Sequence, residues 1–314
     1  MVYQSTTLGY KVGPLCEVFG YSRQSYYKWL SKQTPDFQDY RGWLIKEAIH
    51  IRKELPKCGC RAIYRKLDQS WPYGRDRTER MLLSMGFGVQ RIKKYVRTTK
   101  AGERFFPNLI YGYQIDDINQ VWQSDMTYFY TKDGGEYYLI FIIDVYSQRV
   151  VGYGAFDTYP AKVFVTVLNR AVRLRQGTSL VGLIFHSDRG NQFSSKLFVG
   201  RLGQLGIISS MAKYSWENPF AEKINDIIKN GFLDPWGVAN FKELRKRLKR
   251  AVHNYNHYQQ IRTLGYKSPV EFEEYNSQLF EHQRETRTLK PTHQYEYQLV
   301  KQELKMDMNT NQEL

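Results

Sequence analysis

The stretch that most constrains this chain is Glu136 to Asp144, EYYLIFIID, an apolar, aromatic and β-branched run that reads as a strand. It stands between two more such runs. Val121 to Tyr130 (VWQSDMTYFY) precedes it, and Arg149 to Phe156 (RVVGYGAF) follows across the short connection Val145-Tyr146-Ser147-Gln148. Short connections between consecutive strands predict antiparallel pairing, so three strands form one meander. Residues 160–175 then place Val163, Val165, Leu168 and Val172 at spacings that read as a helix. A further apolar run of strand length, Val181 to Phe185, ends at His186-Ser187-Asp188-Arg189-Gly190, where turn chemistry takes over. Strand, strand, strand, helix, strand, with more helices after it, is the order of an α/β fold of ribonuclease-H type.

Three carboxylates stand at telling places in this order. Asp125 lies within the first strand and Asp188 at the end of the fourth. Glu222 falls in the first turn of a helix opened by Asn218-Pro219 and continued by Ala221, Ile224, Ile227 and Ile228. A lone Asp on a strand or Glu on a helix is usually a solvated surface charge. Three converging carboxylates in a basic chain instead point to a metal site, because Mg²⁺ is a hard ion that takes a few carboxylates, keeps several waters and shares its shell with phosphates. Two such ions about 4 Å apart activate a nucleophile and stabilise the leaving oxygen of a phosphoryl displacement.

WQSDMTY, DVYSQRVVGY, HSDRGNQF and ENPFAEKINDIIKN, in that order, resemble the integrase-type catalytic core shared by retroviral integrases and insertion-sequence DDE transposases. The chain resembles the orfB product of the insertion sequences whose transposase comes from two overlapping frames, orfA and orfB. The resemblance implies that Asp125, Asp188 and Glu222 are the metal-binding, catalytic triad, holding two Mg²⁺ ions with Mn²⁺ able to stand in. It also implies that Lys229, seven positions after Glu222 and so two turns along the same helix face, meets DNA ends. Asp188 and Glu222 are 34 positions apart, shorter than the common family spacing, which a shortened loop near Ala212 to Trp216 would absorb. His186, two positions before Asp188, is an accessory candidate that could equally be a structural histidine. Arg189, Asn191 and Gln192 offer donors suited to phosphate. Asp144, a fourth acidic residue, ends a strand before a turn and reads as structural.

Charge separates the core from its flanks. Residues 1–120 carry 21 Lys and Arg against 11 Asp and Glu, residues 121–235 carry 12 against 10, and residues 236–314 carry 13 against 10, within a net charge of +15. Basic flanks suit DNA-holding modules, since Lys and Arg displace counterions from phosphates. Residues 1–35 read as a helix-turn-helix segment whose second helix carries Arg23, Gln24 and Lys28 toward DNA. Residues 36–90 read as a second helical DNA-binding module, with Arg75, Arg77 and Arg80 on its last helix as contact candidates, and Gly59-Cys60-Arg61 where the family usually has Gly-Tyr-Arg. Residues 91–118 read as a basic linker in which Tyr95 and Phe105 either pack against the core or stack on bases. Residues 119–275 are then the core with its closing helices.

Phe241 to Tyr258 is a basic amphipathic helix, with Leu244, Leu248 and Val252 inward and Lys246, Lys249 and Arg250 toward DNA or solvent. Tyr255-Asn256 and LGYKSPVEF resemble the family's closing motif, with Gln259-Gln260-Ile261 in place of its Arg-Pro-His. Residues 276–314 read as a frayed polar tail.

No run of about 18 apolar residues occurs, so no membrane partner is expected and the chain reads as cytoplasmic, associated with the nucleoid. Cys16, Cys58 and Cys60 are odd in number and lack the spacing of a zinc knuckle. The expected function is metal-dependent strand cleavage and strand transfer at insertion-sequence ends. The resemblance adds a copy-out paste-in route, terminal repeats and target DNA as substrates, a homo-oligomer on DNA, and an orfA product or orfA-orfB fusion as partner. The rival readings are a catalytically silent DNA-binding regulator and a ribonuclease-H-like nuclease that only hydrolyses.

Overall fold

The computed structural model describes residues 10–30, 35–89 and 106–290. Tyr95, Phe105 and the tail from 291 onward, all given readings above, lie outside the described residues. The chain divides into two compact units, one comprising Met1–Glu54 with Cys58–Arg91 and the other Leu55–Lys57 with Ile92–Leu314.

The N-terminal unit is helical. Helix α1 (Val12–Val18) and helix α2 (Arg23–Leu30) are joined by a turn in which Gly20 takes φ +69° and Tyr21 N–H donates to the Cys16 carbonyl at 2.8 Å. Ser22 caps α2 by accepting from Ser25 N–H at 3.1 Å. Helices α3 (Pro35–Glu54), α4 (Cys60–Lys66) and α5 (Arg75–Ser84) bury Leu44, Ala48, Ile63 and Leu82 completely. Helix α5 carries Thr78 as a fully buried anchor. Its hydroxyl accepts from the Trp71 indole at 2.7 Å, and Trp71 stacks on Trp43.

The larger unit is built on a five-stranded sheet in the order β4-β3-β2-β5-β6. Its strands are β2 (Val121–Tyr130), β3 (Glu136–Asp144), β4 (Val150–Phe156), β5 (Ile184–Ser187) and β6 (Ile208–Met211), with β1 (Gln114–Ile115) in a separate ribbon. β2, β3 and β4 are antiparallel, while β5 and β6 add parallel to β2 through helix α6 (Ala161–Leu174) and helix α7 (Lys196–Gln204). This is the ribonuclease-H-like order, a meander extended by two crossovers. Strand β5 begins at Ile184 rather than Val181, which is 78 % exposed. Trp122, Ile140, Phe164, Phe185 and Phe198 pack the core between the sheet and these two helices. Gly152 lets α6 approach β4, since a Cβ there would lie 2.8 Å from the Val167 carbonyl oxygen.

After β6 the chain enters helix α8, which is α-helical over Pro219–Asp226, π-helical over Ile227–Leu233 and ends at Asp234–Trp236. Helix α9 spans Phe241–Tyr258, capped by Asn240, whose side chain accepts from Glu243 N–H, and helix α10 spans Pro269–Ser277 with a Ser268–Glu271 capping box. Two expectations need correction. The second half of the expected linker belongs to the core: Leu109 N–H donates to Ser210 Oγ at 2.9 Å and Phe106 packs on the core cluster. Residues 278–290 are not a frayed tail either, since strand β7 (Arg287–Thr288) pairs with β1 and Arg284 forms an ion pair with Asp117. Among the described residues no helix is long and apolar enough to cross a membrane.

Candidate active site

Strand order places the first two carboxylates together. β2 and β5 are parallel neighbours with Ser124 opposite Ser187, so Asp188 leaves the end of β5 beside Asp125. Ligand sites of open α/β sheets form at such carboxyl ends. Gly190 N–H donates to Asp188 Oδ1 at 3.1 Å, and a Cβ on Gly190 would meet that same oxygen at 3.0 Å.

Helix α8 brings Glu222, and four hydrogen bonds fasten it along β2. Asn218 Nδ2 donates to the Ser124 carbonyl at 2.9 Å and Phe220 N–H to Gln123 Oε1 at 3.0 Å. Asn225 Nδ2 donates to Asp125 Oδ2 at 2.8 Å, and Lys229 Nζ to Thr127 Oγ1 at 3.0 Å. Alternation along a strand puts Gln123, Asp125 and Thr127 on one face. That is the face α8 covers.

The carboxylates feel one another. Burial, then Asp188 and Glu222, push the Asp125 carboxyl well above the usual range, against hydrogen bonds from Met126 N–H and the Asn225 amide. Burial and Asp188 raise Glu222 to about 7. By surface area Asp125 and Asp188 are half-buried and Glu222 exposed, so the cluster is crowded by protein atoms yet opens to solvent. Among the described residues no three His, Cys, Asp or Glu side chains close into a formed metal cage. The donor set nonetheless suits a hard cation that keeps its waters: three mutually repelling carboxylates beside the buried Oδ1 of Asn225, which has no hydrogen-bond partner.

Lys229 lies inside the π-helical stretch, so the two-turn α-helical repeat expected between it and Glu222 does not hold. Its amine reaches β2 through Thr127, burial lowering its pKa while Asp234, Asp226 and Asp125 pull it up. His186 takes the structural of the two readings left open for it. It is fully buried, its Nδ1 lies 2.9 Å from Ser210 Oγ, and burial depresses its pKa to about 4 against a slight opposing pull from the Glu217 backbone. A neutral imidazole sealed in the core cannot meet phosphate directly.

Asp144, also fully buried, accepts from the backbone N–H groups of Asn119, Tyr146 and Ser147 and from the Trp122 indole, which makes it structural. Arg189 and Gln192 stay half-exposed on the turn after β5. Lys246 and Arg250 are exposed on α9, Arg250 lying 5.3 Å from the Trp236 ring. Arg23 and Lys28 are exposed on α2, and Arg75, Arg77 and Arg80 on α5, within the N-terminal unit. There Arg75 pairs with Asp76 at 2.8 Å and Arg77 sits 3.9 Å above the Tyr73 ring. Sequence reasoning missed Gln123, Asn218 and Asn225. The available signal was Asn225 standing three positions after Glu222, one helical neighbour away.

Residues 117–214 match the integrase core domain family. The chain is similar to the transposase for insertion sequence element IS629 of Shigella sonnei, 30 % identical over 280 residues that make up 84 % of this chain and 92 % of that protein. It is also similar to the putative transposase for IS986/IS6110 of Mycobacterium tuberculosis, 31 % identical over 163 residues, 49 % of this chain and 58 % of that one. Among solved structures it resembles the HTLV-2 integrase catalytic core domain in complex with magnesium, at 20 % identity and a TM-score of 0.41, covering 53 % of this chain and 99 % of that one.

Proposed function

The chain belongs to the insertion-sequence DDE transposases, enzymes of polynucleotidyl-transferase type with an integrase core, and on that premise we propose that its cleft cleaves DNA strands at insertion-sequence ends and transfers them to a new phosphate. The carrying observation is the convergence of Asp125 on β2, Asp188 just past the end of the neighbouring β5 and Glu222 on the helix fastened along β2, close enough that Asp188 raises the pKa of both other carboxyls. Such repulsion is relieved by a bound cation, and carboxylates perturbed by like charges in a cleft mark functional sites. Asp125, Asp188 and Glu222 would hold one or two Mg²⁺ ions, which when bound supply Lewis-acid polarisation and an acidic water.

The chain's own residues do the rest. Asn225 fixes the rotamer of Asp125. Lys229, held by Thr127, puts a positive charge beside the carboxylates where a phosphate would enter. Arg189 and Gln192 offer further donors at the cleft, while Lys246 and Arg250 extend a basic surface along α9. Arg23, Lys28, Arg75, Arg77 and Arg80 make the helical N-terminal unit a DNA-holding module. Two DNA ends must be held together, which calls for a homo-oligomer, and an orfA product fused or bound to this chain would supply sequence-specific end binding.

The test is a gel assay of purified protein on labelled DNA carrying element ends, with and without Mg²⁺, beside Glu222→Gln. Metal-dependent cleavage and joined products, absent in the variant, are expected. Nicked but never joined products would leave only a hydrolytic nuclease, and equal nicking by variant and wild type would remove Glu222 from the site.

A further inference from the structure

The turn between β3 and β4 is gripped by side chains from the last part of the chain. Ser147 Oγ donates to Glu273 Oε1 at 2.7 Å, and Arg149 and Arg175 both donate to the same carboxylate. Asn256 satisfies both backbone groups of Val150, donating to its carbonyl at 2.9 Å and accepting from its N–H at 3.0 Å.

Between them Gln148 is 3 % exposed and left-handed, with φ +54°. A side chain there is strained and persists only where its surroundings hold it. Three bonds do so. The Gln148 carbonyl accepts from the Tyr255 hydroxyl at 2.9 Å, its Nε2 donates to Thr263 Oγ1 at 2.8 Å, and its Oε1 accepts from Lys223 Nζ at 3.2 Å.

Lys223 follows Glu222 in α8, so the third bond leaves the turn for the helix that carries the carboxylate. The four fastenings of α8 described above all reach β2, and a rod fixed along one line can still roll about it. An anchor off that line stops the roll. At about 100° per residue, Glu222 lies roughly 60° round the helix from Asn225 and about 100° from Lys223, hence between the two lines of attachment.

We infer that Gln148 is a positioning residue for the catalytic helix, and that the segment from Tyr255 to Glu273 acts through it as a brace that sets where Glu222 points. This gives the closing motif a mechanical role: its residues hold the turn that holds the helix. The inference rests on the transposase reading only for its activity readout.

Two substitutions cut the link from opposite ends. Gln148→Leu removes the buried amide, while Lys223→Met cuts the link from the helix side and leaves the Tyr255 and Thr263 bonds to Gln148 in place. Gln148→Glu keeps an oxygen facing Lys223 and lets the Thr263 hydroxyl rotate to donate. Hydrogen–deuterium exchange over Pro219–Asp226 in the full-length protein is measured beside single-turnover cleavage, DNA affinity and melting temperature. Exchange about tenfold faster and cleavage about 10- to 100-fold slower are expected in Gln148→Leu and Lys223→Met, with recovery in Gln148→Glu. Lys223→Met should keep the wild-type DNA affinity and melt in one cooperative transition only a few degrees (~2–5 °C) lower, since it leaves the Gln148 amide oxygen without its donor. Unchanged exchange in Lys223→Met overturns the brace whatever the activity does, and weaker DNA binding alongside unchanged exchange would make Lys223 a phosphate contact instead. If the wild-type protein cuts nothing, the transposase reading of the cleft fails while the exchange data still decide the brace.

Discussion

Glu222→Gln should remove a pH dependence of stability that the metal-free wild type carries. Burial and Asp188 raise the Glu222 carboxyl from 4.5 to about 7. The folded chain therefore holds this proton more tightly than the unfolded chain does. Its stabilising share is fully present below the unfolded value of 4.5, and is lost as pH rises through about 7. The whole shift would correspond to about 3.4 kcal/mol if the group were sealed from water. Glu222 is exposed by surface area, so solvent screening cuts this to about 1 kcal/mol. For a unit of this size that is roughly 2–4 °C in melting temperature. The assay is thermal unfolding of wild type and Glu222→Gln in chelator between about pH 5 and pH 8, read as the difference between the two. Wild type should lose ground steadily relative to the variant as pH rises, and saturating Mg²⁺ should erase the trend by favouring the ionised carboxylate. A flat difference across that window would refute the placement of Glu222 against Asp188.

Asn225→Ala deletes the donor to Asp125 Oδ2 and should slow single-turnover cleavage about 10- to 100-fold with the fold intact, judged by circular dichroism. Glu273→Ala leaves Arg175, only 7 % exposed, without its best carboxylate partner, and urea unfolding should show a loss of about 3–5 kcal/mol. Replacing both Lys246 and Arg250 with alanine should lower the slope of log affinity against log salt by about 2, measured by fluorescence anisotropy on duplex DNA.

The elements of the core were legible in the sequence because their determinants are local. Apolar, aromatic and β-branched runs and the short connections between them marked the meander, and α9 was read to its ends because Leu244, Leu248 and Val252 recur at helical spacing. The three carboxylates were legible as candidates through the motifs around them. Three other features had no local signal. Asn218, Gln123 and Asn225 become clamps only through partners 94 to 100 positions away. The polar residues after Ser277 looked like a tail, yet Arg284 and Arg287 find Asp117 and the Tyr146 carbonyl across the fold. His186 looked like a companion of Asp188, and the packing of β5 between β2 and β6 sealed it inside. Secondary structure and the chemistry on offer follow from the 2.0 and 3.6 periodicities that neighbouring residues impose on one another. Protonation, rotamer and the set of helix α8 follow from desolvation and hydrogen bonds between distant segments, which exist only once the sheet has closed.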